Sequence, residues 1–251
     1  MRPQWWLGKE KIMKKETMSR RDQTRRISIL AMFIALIVVM GMVPFLGFIP
    51  LFGLSFQIIT IPVIIGAVIL GRKYGVILAT VFGITSMIRG AMSGGFDFLF
   101  VLPWISILPR VLWGIIIVDV FAFFKKVFGR FEKTKHKRVL SLAISFLVVS
   151  LIHTLFVVPM IATGFPIVFE SPSVYDGVLK GDFGQETIDG LSGLQSFNTI
   201  MKWMFGVIIS NGIGEAIIAM LIGSVVTDRL LVYLNNNNQA ILRGGVYENR
   251  D

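Results

Sequence analysis

Arg110 has the strongest claim to chemistry in this chain. It stands inside an apolar run, residues 99–124, that also carries Asp119. About 26 residues at ~1.5 Å each cross a ~30 Å hydrocarbon core with some tilt. A guanidinium in the middle of such a helix is costly unless it faces protein or a wet cavity. A small solute with a negative group is one partner that fits. Asn211 and Glu215 lie one helical turn apart on a later apolar stretch, and so share a face. His153 falls in the outer half of another span. Residue counts from the loops bring Arg110, His153, Asn211 and Glu215 together in the outer-to-middle zone from three different spans. Arginine grips a carboxylate in a two-pronged geometry, and asparagine both donates to and accepts from amides and hydroxyls. Trp104, about a turn and a half above Arg110, reads as an apolar wall or equally as an interfacial belt residue. Gln57, Thr60 and Arg89 are rim candidates, Arg89 also as a marker of the membrane boundary. A structural alternative stays open: an Arg110–Glu215 pair that fixes helix packing, with His153 and Asn211 bonded to backbone carbonyls.

Enzyme chemistry finds little support. The chain has 2 histidines and no cysteine, which excludes disulfides and thiolate metal sites. No metalloprotease, nucleophile-elbow, phosphate-loop or dinucleotide motif occurs. Asp119 and Glu215 are the mid-span acids, and they fall at different depths. The reading is therefore not an enzyme, with no metal and no cofactor in this chain.

The elements that must hold these residues are membrane spans. Of 251 residues, 54% are hydrophobic and 16% charged, with 21 Phe and a mean hydropathy of +0.74. A soluble domain is nearer ~25% charged. The formal net charge is +10, but it is clustered. Basic residues crowd positions 2–26, the Arg72–Lys73 pair and the stretch 125–138, the pattern of cytoplasmic loops rather than of a nucleic-acid surface. The N-terminal apolar stretch is too long, and lacks the small-residue exit, for a cleavable signal. Six spans satisfy every loop with both termini inside: about 27–42, 57–71, 74–88, 99–124, 139–163 and 203–232. The second and third are short and interrupted by Gly or Pro, as where transporters line a cavity. Residues 44–56 read as an apolar outer loop and 164–202 as a long polar one. The expected organisation is a basic segment 1–26, a six-helix bundle 27–232 and a cytoplasmic tail 233–251. Ala31 and Ala35, four apart on a bulky first helix, form a flat strip on which another helix can lie.

These residues resemble the substrate-binding S components of energy-coupling factor (ECF) vitamin transporters. ILAMFIALIVVMG at 29–41 resembles the family's first helix with its AxxxA motif, here Ala31 and Ala35. IPVIIGAVILGRKYGVILATVFGITSMIRG at 61–90 is similar to the helix 2–turn–helix 3 signature of pantothenate-type members. ILPRVLWGII at 107–116 and SNGIGEAIIAMLIG at 210–223 resemble the fourth- and sixth-helix motifs.

The resemblance implies a six-helix, all-α membrane receptor that captures a vitamin from outside. Such a receptor delivers its ligand by toppling against a membrane coupling subunit (EcfT-like) driven by two cytoplasmic ATPases, which hold the ATP and Mg. Ala31 and Ala35 would dock the coupling subunit, the loop after the first span would cover the pocket, and Arg110 and Asn211 would line it. His153 stands where the family pattern often has Asn. Pantothenate leads, with riboflavin, folate or niacin as alternatives within the family. A proton-coupled carrier working alone, with Asp119 or Glu215 as its proton site, is the alternative outside it.

Overall fold

The computed structural model describes residues 20–43, 46–51, 54–92, 99–128, 135–170, 206, 211–237, 242 and 245–247. The order is α1 (Arg20–Met42), a hairpin of β1 (Phe48–Leu51) and β2 (Leu54–Gln57), α2 (Thr60–Leu70), α3 (Arg72–Met92), the single turn α4 (Pro103–Ser106), α5 (Leu108–Phe128), α6 (Lys135–Glu170), α7 (Ile213–Ile218) and α8 (Ser224–Asn237). A π-helical turn, Ala219–Gly223, joins α7 to α8. The described residues are all-helical apart from the hairpin. Five helical segments are long and apolar enough to cross a membrane: Arg20–Met42, Arg72–Met92, Pro103–Phe128, His136–Gly164 and Ile213–Asn236.

The expected second span is shorter than the rest. At 11 residues, α2 is about 17 Å long, roughly half a hydrocarbon core. Every one of its residues is buried, so its unbroken apolar run is a central core element. It stops at Gly71, whose φ of 96° is open to glycine and strained for other residues, and the chain reverses there into α3. The apolar loop expected at 44–56 is instead partly ordered. Strands β1 and β2 pair antiparallel, Phe48 opposite Gln57, which satisfies backbone groups that a bare apolar loop would leave without partners.

Helices α3, α5 and α6 pack at the centre. Gly75, Ala79 and Gly83, four apart on α3, let α5 and α4 approach closely. A Cβ at Gly114 of α5 would stand 2.6 Å from the Ala79 Cβ and 3.2 Å from the Gly75 carbonyl oxygen. Backbone cannot move aside as a flexible side chain can. Gly114→Leu is expected to lower stability by about 3 kcal/mol, read as a lower melting temperature in detergent. A melting temperature equal to that of the parent would show that the contact is not tight.

Charges gather at one end. Arg72 pairs with Asp119, both half-exposed, and Arg138 pairs with the buried Asp228 at 2.6 Å. The Arg26 guanidinium donates to the Leu70 carbonyl and lies 4.9 Å from the Tyr74 ring centre. The short segment 245–247 docks at the same end. The Val246 N–H donates to the Val68 carbonyl at 3.1 Å, and the Lys125 ammonium donates to the Val246 carbonyl at 3.0 Å. Residues 1–19, most of the polar stretch 164–202 and most of the tail lie outside the described residues.

Candidate functional site

The fourth span is one helical segment, Pro103–Phe128, divided at Ile107 into the turn α4 and the helix α5, with Pro109 the second residue of α5. Ile107 keeps helical backbone angles, φ −90° and ψ −49°, so the run continues through it and Arg110 lies within its first third. Pro109 has no N–H, so it cannot pair with the carbonyl four residues back, that of Ile105. The Arg110 guanidinium fills that vacancy, with Nη1 donating to the Ile105 oxygen at 2.8 Å. Arg110 is fully buried, with its Cζ 4.6 Å from the Phe100 ring centre and 5.3 Å from that of Phe82.

Beside this cluster lies a cavity lined by Gln57, Phe100, His153, Thr154, Val157, Val158, Ile161, Asn211, Gly212 and Glu215. His153, Val157 and Ile161 recur at four-residue spacing on one stripe of α6, with Thr154 and Val158 beside them. Gly212 lets the start of the last span approach that stripe, since a Cβ there would stand 2.7 Å from the Thr154 methyl. Gln57 enters from the end of β2. Its backbone N–H donates to Glu215 Oε1 at 2.7 Å, and Thr60 Oγ1 donates to its carbonyl at 3.0 Å. The carboxylate thus ties the hairpin to α7.

Three lining atoms are buried without hydrogen-bond partners: Gln57 Oε1, His153 Nε2 and Asn211 Oδ1. A buried polar group left unmade costs about 1–3 kcal/mol, so three at one cavity call for water or the polar groups of a ligand to complete them. The rest of the lining, Phe100, Val157, Val158 and Ile161, is apolar. The cavity volume is about 40 Å³, room for about three waters. Behind His153 an aromatic cluster fixes the ring, with Trp113 at 4.8 Å and Phe82 at 5.7 Å between centres. Trp113 is itself held by donating Nε1–H to the Val149 carbonyl at 2.8 Å.

The sequence-predicted residues thus divide. Gln57, His153, Asn211 and Glu215 line one cavity, and Arg110 lies one side chain away, behind Phe100. Trp104 is 43% exposed and outside the lining. Arg89 lies 5.8 Å from the Phe48 ring centre. Asp119 is at the other end, with Arg72. Ala31 and Ala35 are both exposed, whereas α1 buries Phe33, Ile37 and Gly41 on its other side. Sequence reasoning missed Phe100, Thr154 and the valine–isoleucine wall. The four-residue recurrence after His153 was the available signal. Among the described residues no group of three or more His, Asp or Glu could hold a metal.

Residues 25–227 match the family model described as "ECF transporter, substrate-specific component". The chain is also 26% identical over 205 residues to "Pantothenate transporter PanT" of Leuconostoc mesenteroides subsp. mesenteroides, covering 78% of this chain and 94% of the relative. Components of this kind are parts of transporters rather than enzymes, and the apolar helices agree with a multi-pass protein of the cell membrane. With four-fifths of its length matched and a largely apolar cavity carrying a few polar side chains inside an apolar helical bundle, this chain belongs to the substrate-specific components of ECF transporters.

Proposed function

We propose that this chain is the vitamin-binding subunit of an ATP-driven importer, and that its vitamin is pantothenate. The observation that carries this reading is the set of three unpartnered buried polar atoms at one cavity. Pantothenate offers what that cavity lacks. Its hydroxyls and amide N–H can donate to Gln57 Oε1 and Asn211 Oδ1, and its hydroxyl can reach His153 Nε2. Its dimethyl group suits the wall of Val157, Val158 and Ile161, and its carboxylate suits Arg110. The name of the Leuconostoc relative supports the same ligand.

The rest of the proposal concerns delivery. The bundle spans the membrane six times with both termini in the cytoplasm, α2 serving as the short second span. Residues 1–26 and 233–251 are cytoplasmic, 27–232 form the binding domain, and the outer loop expected over 164–202 begins only after α6 ends at Glu170. Ala31 and Ala35 dock a membrane coupling subunit, against which the bundle topples, and two partner ATPases supply the energy with their own ATP and Mg. Asp119 is engaged with Arg72, which counts against its use as a proton site in a carrier working alone.

Asn211→Leu tests the site. It removes an acceptor while keeping similar volume, and pantothenate affinity of the purified chain is expected to fall about 10- to 100-fold. Unchanged affinity with an unchanged melting temperature would take Asn211, and with it this cavity, out of the reading.

A further inference from the structure

Two facts about the site do not fit a rigid pocket. The cavity holds about 40 Å³, far below what a vitamin needs. The guanidinium suited to an acidic group is buried behind a ring that itself lines the space, Phe100. Phe100 is carried on a single 3-10 turn, residues 99–101, rather than inside one of the long helices. Rotation about its side-chain bonds is a change between ordinary rotamers.

Resting on the pantothenate reading above, we infer that Phe100 is a specificity gate. Its ring covers Arg110, 4.6 Å from centre to Cζ, and swings aside when an acidic ligand enters. One movement then does two things. It enlarges the cavity on the side of α4, and it exchanges a cation–π contact for a charge-assisted hydrogen bond between guanidinium and carboxylate. A desolvated arginine is held by an aromatic face, but more strongly by an opposite charge in a two-pronged geometry. A neutral ligand of the same shape offers no such exchange and must displace the ring without compensation. Selectivity for the acid is thereby built into opening as well as into the final contact. Phe82 keeps the other contact, 5.3 Å from its ring centre to Arg110 Cζ, so the guanidinium stays in place while Phe100 moves. The bond from Nη1 to the Ile105 carbonyl at 2.8 Å fixes it further.

The test compares two ligands, pantothenate and its alcohol analogue, in which –CH2OH replaces the carboxylate. Affinities and association rates are measured on the purified full-length chain for the parent, Phe100→Ala and Arg110→Gln. The parent is expected to favour the acid by about 30-fold or more. Arg110→Gln brings that ratio close to one by removing the advantage of the acid. Phe100→Ala keeps the preference for the acid but speeds association of both ligands, most for the alcohol, because no ring has to be displaced. A Phe100 that merely packs would instead weaken both ligands equally through faster dissociation, with association unchanged, and that result overturns the gate. So does an acid-to-alcohol ratio that survives Arg110→Gln. If the parent binds neither ligand, the pantothenate reading itself fails and the gate falls with it, an outcome distinct from binding without discrimination.

Discussion

Arg110→Ala is expected to lower pantothenate affinity by at least about 100-fold, the largest single effect at the site. The reason is the surroundings of the guanidinium. It is wholly buried and packed against two aromatic rings, in a bundle whose exterior is lipid. A carboxylate drawn into such a place has no water to replace the lost charge, and removing one partner of a buried charged pair costs about 2–5 kcal/mol. The same substitution also takes a donor from the Ile105 carbonyl, which Pro109 cannot supply. A fall in melting temperature is therefore expected as well, and affinity must be measured on protein that remains folded. Arg110→Lys separates the two effects. It keeps the charge but offers no fork, so the fold is expected to survive while affinity still falls more than tenfold. Full affinity in the lysine variant would reduce Arg110 to a point charge or to packing.

Ala31→Trp or Ala35→Trp is expected to stop uptake by the assembled importer while leaving pantothenate binding by the isolated chain within about twofold of the parent. The core-facing side of α1 is the row Phe33, Ile37 and Gly41, and Gly41 lies so close to α3 that a Cβ would meet the Thr85 methyl at 1.9 Å. The two alanines are exposed on the far side of the helix. An indole there meets no residue of the core row, so the cavity should not feel it. A helix laid closely along the strip would meet it at once, because association between membrane helices rests on close packing of small residues. The measurement is accumulation of labelled pantothenate in vesicles holding the full complex, beside binding by the chain alone. Normal accumulation would remove the alanine strip from docking. Lost binding would show instead that α1 supports the pocket.

Much of this architecture is legible in the sequence, for reasons that differ from part to part. The long spans are visible because composition alone marks a 20-residue apolar helix, and the basic clusters show how the loops are sorted. Asn211 and Glu215 are placed correctly on one face because their spacing is a helical turn. Their meeting with His153 follows from depth counting, which works when helices are straight. For Arg110 the hidden part is local. Pro109 leaves the Ile105 carbonyl without its helical donor, and the Arg110 guanidinium supplies one, a contact that an unbroken apolar background does not announce. Gln57 reads as the start of the second span and instead ends a strand, since register within an apolar hairpin leaves little trace in hydropathy. Asp119 reads as a mid-span acid, and only the fold reveals that the Arg72 turn reaches it. Phe100 could not be found at all. It is one of 21 phenylalanines, and periodicity does not say which ring faces a cavity.

Native mass spectrometry of the chain purified without partners is the most direct test that one polypeptide captures the vitamin by itself. One added mass per chain, equal to that of pantothenate, is expected when the protein is made in cells supplied with it. Asn211→Leu and Arg110→Ala should each diminish that mass, while Ala35→Trp should retain it. A parent chain that carries no small molecule and gains none on addition of pantothenate, although folded, would contradict the assignment. So would a ligand retained undiminished when both Asn211 and Arg110 are replaced.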